Sequence, residues 1–196
     1  MATKVAGEVK GGLLGQLYEI ERQVRQANGY PFDPEDLKLH LQAAVEGRFK
    51  PLLKFVRSVS VPAVENFIAA EAFGDGNSAG LKFWMNDNFR NNFLGKAVSN
   101  VPAGELNIRE LTEASLDAPI RKELTPELEE TKLPHFYELL KARSGWFVAY
   151  IKDDKGNLWA VYADWNVDDR EWDVYADSVT DPRAWDAGRQ VVSRKK

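Results

Sequence analysis

A short unit that occurs twice constrains this chain more than anything else in it. Trp159-Ala160-Val161-Tyr162-Ala163-Asp164 returns thirteen residues later as Trp172-Asp173-Val174-Tyr175-Ala176-Asp177. Each copy alternates large apolar residues with small or polar ones, the period-two pattern of a half-buried strand. The polar stretch between them, Asn166 to Glu171, has the length of a hairpin loop. The two copies therefore predict an antiparallel hairpin with a tryptophan at each shoulder of its loop.

That hairpin has a definite expected register. If Trp165 pairs with Trp172, then Val161 faces Ala176, Ala163 faces Val174 and Tyr162 faces Tyr175. Trp165, Trp172, Val161 and Val174 then share the core side. Asp164 stands opposite Asp173, with Asp177 further along the same face. Like charges facing each other across a ladder cost from a few tenths to about 1 kcal/mol. A slipped register, a basic partner or a bound cation would offset this. Arg189 and Arg194 are the expected basic partners if the last strand lies beside the hairpin. Ca²⁺ and Mg²⁺ take oxygen ligands, which three carboxylates supply, although the spacing matches no calcium loop.

Ahead of the hairpin, helices give way to mixed structure. Leu13, Leu14, Leu17, Ile20, Val24 and Ala27 recur at three- and four-residue steps, which predicts an amphipathic helix stopped by Asn28-Gly29. Asp33 as cap and Pro34 as first helical residue open a second helix, with Leu37, Leu41, Ala44 and Val45 on its apolar side up to Gly47. Two helices joined by a short turn predict a helical hairpin. Residues 48–61 fit a helix after Pro51 or, at Ser58 to Val61, a strand.

Ser60 and Pro62 predict a helix running to Phe73, and Gly74 to Gly80 a loop without the Gly-Lys-Ser ending of a phosphate cradle. Leu81 to Met85 reads as a strand, and Asn86-Asp87 as the cap of a short helix carrying Phe89 and Phe93. Asn100 to Gly104 reads as a connector and Glu105 to Thr112 as a strand. Asp117 opens a helix, and Thr131 caps another with Pro134 in its first turn. Trp146 to Lys152, a turn at Asp153 to Gly156, the duplicated pair and a last strand at Arg189 to Arg194 complete the chain.

The expected fold class is α+β, with an N-terminal helical hairpin, a mixed helix–strand middle and a C-terminal antiparallel β-meander. Residues 1–12 form a flexible lead-in, 13–58 a helical segment, and 59–196 an α+β domain ending in a tryptophan-rich antiparallel sheet.

Composition narrows the chemistry. With no cysteine there is no disulfide framework, thiolate metal site or cysteine nucleophile, which fits a reducing compartment. A net charge of −4 creates no field that recruits nucleic acid or anionic membrane. No apolar run reaches the length of a membrane span, and Met1 to Gly12 lacks the apolar core of a secretion signal, so the expected location is cytoplasmic. The two histidines, His40 and His135, are far apart, which excludes a His-Glu-x-x-His zinc motif. No Gly-x-Ser-x-Gly turn and no cofactor-binding motif occurs.

Several phrases resemble an uncharacterised family of short bacterial proteins common in lineages with small genomes. They are Asn86 to Phe89 with Phe93 to Lys96, then Ser115 to Ile120, and above all the tail with Trp172, Val174, Ala176, Ser178-Val179, Pro182, Trp185, Gly188-Arg189, Val191, Ser193 and Arg194. The resemblance spans about Val61 to Arg194. It implies one folding unit from about residue 59 onward and brings no activity, substrate or cofactor with it.

Five of the six tryptophans lie between Trp146 and Trp185, where large rings fill a small sheet or anchor a partner. Tryptophan, tyrosine and arginine are what interface hot spots favour. Trp165 and Trp185 are the expected surface anchors, with Tyr162, Tyr175 and Arg189 as further contact residues. The leading expectation is a non-catalytic binding or interaction module, uncertain as an enzyme, for an unknown protein or small ligand. The alternative is a metal-assisted hydrolase or nuclease using Asp164, Asp173 and Asp177. Nucleic-acid binding through residues 48–57 or 189–196 is a third reading, against which it speaks that no aromatic stacking residues are interleaved with the charges of the basic stretch on one face.

Overall fold

The computed structural model describes residues 7–25, 34–45, 47 and 51–195. The chain divides into two compact units, Met1–Phe49 and Lys50–Lys196. The first holds α1 (Gly7–Val24) and α2 (Pro34–Val45). Along α1, Glu19 meets Arg22 and Glu21 meets Arg25 one helical turn on. Leu13, Leu17 and Val24 are exposed, as are Leu41 and Val45 of α2. Ala27, the stop at Asn28-Gly29 and the cap at Asp33 lie outside the described residues, and with them the turn of the expected helical hairpin.

The second unit is α+β. Its strands are β1 (Leu53–Val61), β2 (Val64–Ile68), β3 (Phe83–Met85), β4 (Ala97–Val101), β5 (Gly104–Leu111), β6 (Trp146–Lys152), β7 (Leu158–Asn166), β8 (Glu171–Ser178) and β9 (Gln190–Arg194). Its helices are α3 (Ala69–Ala72), α4 (Asp87–Phe93), α5 (Asp117–Leu124), α6 (Pro126–Glu129) and α7 (Leu133–Ala142). Seven strands form one mixed sheet in the order β1-β5-β9-β6-β7-β8-β3, and β2 pairs with β4 in a small second sheet. Strands β6, β7 and β8 follow one another antiparallel, while β9 runs parallel to β6 and β3 parallel to β8.

Alternation assigns the two faces of the large sheet. On the first, Val59, Ile108, Phe147, Val161, Trp172 and Val174 pack with Phe89 and Phe93 of α4 and with Phe136 and Leu139 of α7. On the second, Leu53, Leu111, Val148, Tyr150 and Val191 pack with Ile120 and Leu124 of α5 and with Trp185. Asn86 caps α4 as expected, its Oδ1 accepting from the Phe89 N–H at 2.9 Å. The same atom accepts from the Ala176 N–H at 3.2 Å, which ties α4 to β8.

Several expectations are corrected. Residues 53–61 are strand β1, bulged between Phe55 and Arg57, so the helical segment does not extend to residue 58. The basic side chains Lys54 and Arg57 accordingly lie on a strand, and Arg48 and Lys50 lie outside the described residues. The helix expected from Ser60 to Phe73 is β2 followed by a single helical turn. Pro62 turns the chain between β1 and β2 instead of opening a helix, and pairing with β4 takes the backbone hydrogen bonds of Val64 to Ile68. Residues 97–101 are likewise strand, where a connector was expected from Asn100. The N-cap of α7 is Lys132, with no side-chain bond, and Thr131 stands one residue ahead of it, its N–H donating to the Tyr150 carbonyl at 2.8 Å. His135 is buried, its Nε2–H donating to the Pro102 carbonyl at 3.0 Å. No helix among the described residues is long and apolar enough to cross a membrane.

Candidate binding face

The register of β7 and β8 is the expected one. Trp165 pairs with Trp172, Ala163 with Val174, Tyr162 with Tyr175 and Asp164 with Asp173. Residues directly opposite in a ladder share a face, so two rows run across the second face of the sheet. One is Val148, Tyr162 and Tyr175. The other is Trp146, Asp164, Asp173 and Trp84, which sets two carboxylates between two indoles.

The rings of these rows hold one another. Tyr162 and Tyr175 stack with planes 6° apart and centroids at 4.7 Å. Trp84 continues the row at 5.2 Å from Tyr175, and Trp146 lies 5.8 Å from Tyr162 on the other side. Within this unit, α5 and the segment bearing Trp185 cover the part of the face near β6. Over β7, β8 and β3 the aromatic row remains partly open, and Trp84 is 44% exposed.

Trp185 covers one end of the row, 5.0 Å from Tyr162 and 5.3 Å from Trp146. Its indole N–H donates to Asp117 Oδ1 at 2.7 Å, and the Tyr150 hydroxyl donates to the same oxygen at 2.7 Å. Burial pushes the Asp117 carboxyl up, against the pull of these two hydrogen bonds and of Arg121. The Tyr150 hydroxyl is raised far above its ordinary value by burial and by the Asp117 charge. The strand-to-loop contact is thus a buried polar joint beside the open aromatic row, where α5 and the Trp185 segment cover the sheet.

Two arginines border the face. Arg189 lies over the Trp146 ring at 4.6 Å, a cation–π contact, and reaches Asp186 at 4.0 Å. Arg183 pairs with Asp177 and lies 3.5 Å from the Tyr162 hydroxyl, which burial pushes up to about 12 with help from the Asp177 charge. Asp164 and Asp173 have no basic partner among the described residues. Burial raises the Asp173 carboxyl, the charges of Asp164 and Asp169 add to this, and Asn166 opposes it.

Four of the five expected contact residues therefore come together: Tyr162, Tyr175, Trp185 and Arg189. Trp165 does not join them. It lies on the opposite face, 5.4 Å from Trp172, because odd and even positions of a strand point to opposite sides. Trp185 is 8% exposed, so it packs over one end of the row as part of the cover and is not a surface anchor. The expected pairing of the acids with Arg189 and Arg194 is also corrected. Strand β9 lies beyond β6, with β6 and β7 between it and β8, and Arg194 donates to the Glu127 carbonyl at 2.6 Å. Among the described residues no group of three His, Cys, Asp or Glu side chains converges as a metal site.

Sequence reasoning missed Trp84, Trp146 and Arg183 as members of this face. The alternation of Trp146 with Val148 carried a signal once its pairing with β7 was known. For Trp84, on a three-residue strand ninety positions away from its neighbours in β8, no local signal exists. No family model, curated protein or solved structure matches the chain.

Proposed function

We propose that the chain is a non-catalytic binding module of a bacterial cytoplasm, whose partner docks on the open part of the second sheet face. The observation that carries this reading is the row Trp146–Asp164–Asp173–Trp84. A facing pair of carboxylates without an internal cation, bracketed by indoles, favours a partner that brings a basic group. Such a group removes the repulsion between the acids, and the exposed Trp84 ring offers it cation–π contact. Large rigid rings held in place by their neighbours give contact area at low entropic cost. The resemblance of the tail to short bacterial proteins speaks for the bacterial setting.

The test is a titration of the full chain with a short arginine-rich peptide and with its glutamate-rich counterpart, followed by tryptophan fluorescence. The basic peptide is expected to bind saturably, and Trp84→Ala and the Asp164→Asn/Asp173→Asn double variant to weaken it at least tenfold. Equal binding of both peptides, or variants that bind as the parent does, would dispose of the reading. The metal-assisted hydrolase or nuclease is the second reading, favoured only by the Asp164–Asp173 juxtaposition. A response to divalent ions separates it from the first.

A further inference from the structure

On the other side of the sheet a cleft of about 480 Å³ opens between β2, α3, the loop after it and α7. Its volume falls within the range of small-molecule pockets, roughly 300–1,000 Å³. Phe67 and Tyr137 form its apolar wall, their rings 5.7 Å apart. Glu71, Asp75 and Glu138 face it with carboxylates, against the single ammonium of Lys141.

Three features indicate what it would hold. Lys141 itself shows the chemistry, because its ammonium lies 2.9 Å from both Glu138 oxygens and 5.7 Å from the Tyr137 ring centre. Glu71 and Asp75, by contrast, form no ion pair among the described residues. Tyr137 is 6% exposed and its hydroxyl is buried without a hydrogen-bond partner, so its ring meets the cleft as an apolar wall.

The cleft is also held open in advance. Asn77 donates to the Gly74 carbonyl at 3.0 Å and to the Leu81 carbonyl at 2.6 Å. Its Oδ1 accepts from the N–H groups of Ala79 and Leu81, both at 3.2 Å. One buried side chain thus fixes the whole loop that carries Asp75, so little ordering cost remains for binding.

We propose that this cleft binds a primary amine on an aliphatic stem, with the ammonium between Glu71 and Asp75 and the stem along Phe67 and Tyr137. The source is either a free small amine or a lysine side chain of another protein. This site is separate from the aromatic face and does not depend on it.

The experiment is calorimetric titration of the full chain at low salt with 1,5-diaminopentane, with 1,5-pentanediol, and with a short peptide bearing one central lysine. Saturable binding of the diamine or the lysine peptide, absent for the diol, is expected. The Glu71→Gln/Asp75→Asn double variant should lose at least tenfold in affinity. These carboxylates are exposed, so a folded variant is assured by an unchanged melt. In the Asp164→Asn/Asp173→Asn background, which removes the acids of the aromatic face, the diamine should still bind, and the Glu71→Gln/Asp75→Asn change should still weaken it at least tenfold.

Diamine binding alone assigns a small amine, and binding of the peptide assigns a protein's lysine. Failure of both amines to bind, binding of the diol equal to that of the diamine, or undiminished binding by the Glu71/Asp75 variant overturns the proposal. Loss in the Asp164/Asp173 variant instead would move the amine to the aromatic face.

Discussion

The Trp185 indole N–H and the Tyr150 hydroxyl converge on one oxygen of Asp117, each at 2.7 Å, in a place where the carboxyl is 1% exposed. Two donors from a strand and a loop are thereby satisfied by the first residue of α5. Asp117→Ala leaves both donors buried without an acceptor. At ~1–3 kcal/mol for each buried unsatisfied group, a loss of about 2–6 kcal/mol is expected in urea denaturation. Asp117→Asn keeps an acceptor oxygen and should cost far less. A similar loss in the two variants would mean that the charge, not the acceptor, holds the joint.

The pH dependence of this joint has a definite sign. Burial raises the Asp117 carboxyl above its unfolded value. Its contribution to stability is therefore full below the ordinary carboxyl range and is lost as pH rises through the folded value. Asp117→Asn should flatten that part of the stability–pH curve, read as denaturation midpoints between acid and neutral pH. An unaltered curve would count against a raised Asp117.

Asp153 titrates in the opposite sense. Burial raises its carboxyl, but the side chains of Asn157 and Trp159 and the N–H groups of Asn157 and Lys155 overcome this and hold it at about 2. Stability from Asp153 is present above the ordinary carboxyl range and is lost as pH falls toward about 2. Asp153→Asn should remove this acid-limb loss and, with fewer acceptor sites for the same donors, cost about 1–3 kcal/mol at neutral pH. A variant as stable as the parent at pH 7 would show that the turn at Asp153 to Gly156 does not depend on these bonds.

How far the sequence could be read follows from which contacts are local. The register of β7 and β8 was legible because the duplicated unit alternates strictly, and a one-residue slip would turn Val161, Val174 and Trp172 out of the core. The cap at Asn86 was legible because a cap acts within one turn, and α5 starts at Asp117 as expected although its N-cap, Leu116, makes no side-chain bond. Residues 64–68 were not, because Ser60 and Pro62 imitate a helix start while the deciding partner, β4, lies some thirty residues on. The insertion of β9 between β5 and β6 and the arrival of Trp84 beside Asp173 depend on long-range pairing that leaves no local periodicity. The sequence also marked Trp185 as important while giving no sign that its N–H turns inward to Asp117.

Asp164 and Asp173 oppose each other across the ladder with no internal cation. Asp164→Asn is expected to stabilise the fold by a few tenths to about 1 kcal/mol at neutral pH, because it removes a facing like charge. The gain should vanish at pH low enough to protonate both acids. Melts with Mg²⁺, Mn²⁺ or Ca²⁺ are expected to match those in EDTA, whereas an ion at a hundred times its dissociation constant would add about 2.7 kcal/mol. A rise with one ion that disappears in Asp164→Asn would replace the binding module with the metal-assisted reading.

Gly74 tests the packing beneath the amine cleft. A Cβ built there would lie 2.4 Å from the Ala70 carbonyl oxygen, and that oxygen belongs to the backbone of α3, which cannot swing aside as a side chain does. Gly76, two residues on, has φ of +75° but nothing within 4 Å of an added Cβ. Gly76→Ala should therefore cost only the left-handed conformation, about 1–2 kcal/mol. Gly74→Ala must push the loop off α3, an overpacking cost of about 1–3 kcal/mol, and must also displace the loop that Asn77 pins. The two costs differ in kind, which denaturation alone does not resolve, but binding does. If the cleft takes an amine, Gly74→Ala should weaken 1,5-diaminopentane severalfold at temperatures where the chain is still folded, and Gly76→Ala should do so less. Equal affinities in both variants would mean that the position of Asp75 does not depend on the seat of Gly74 against Ala70.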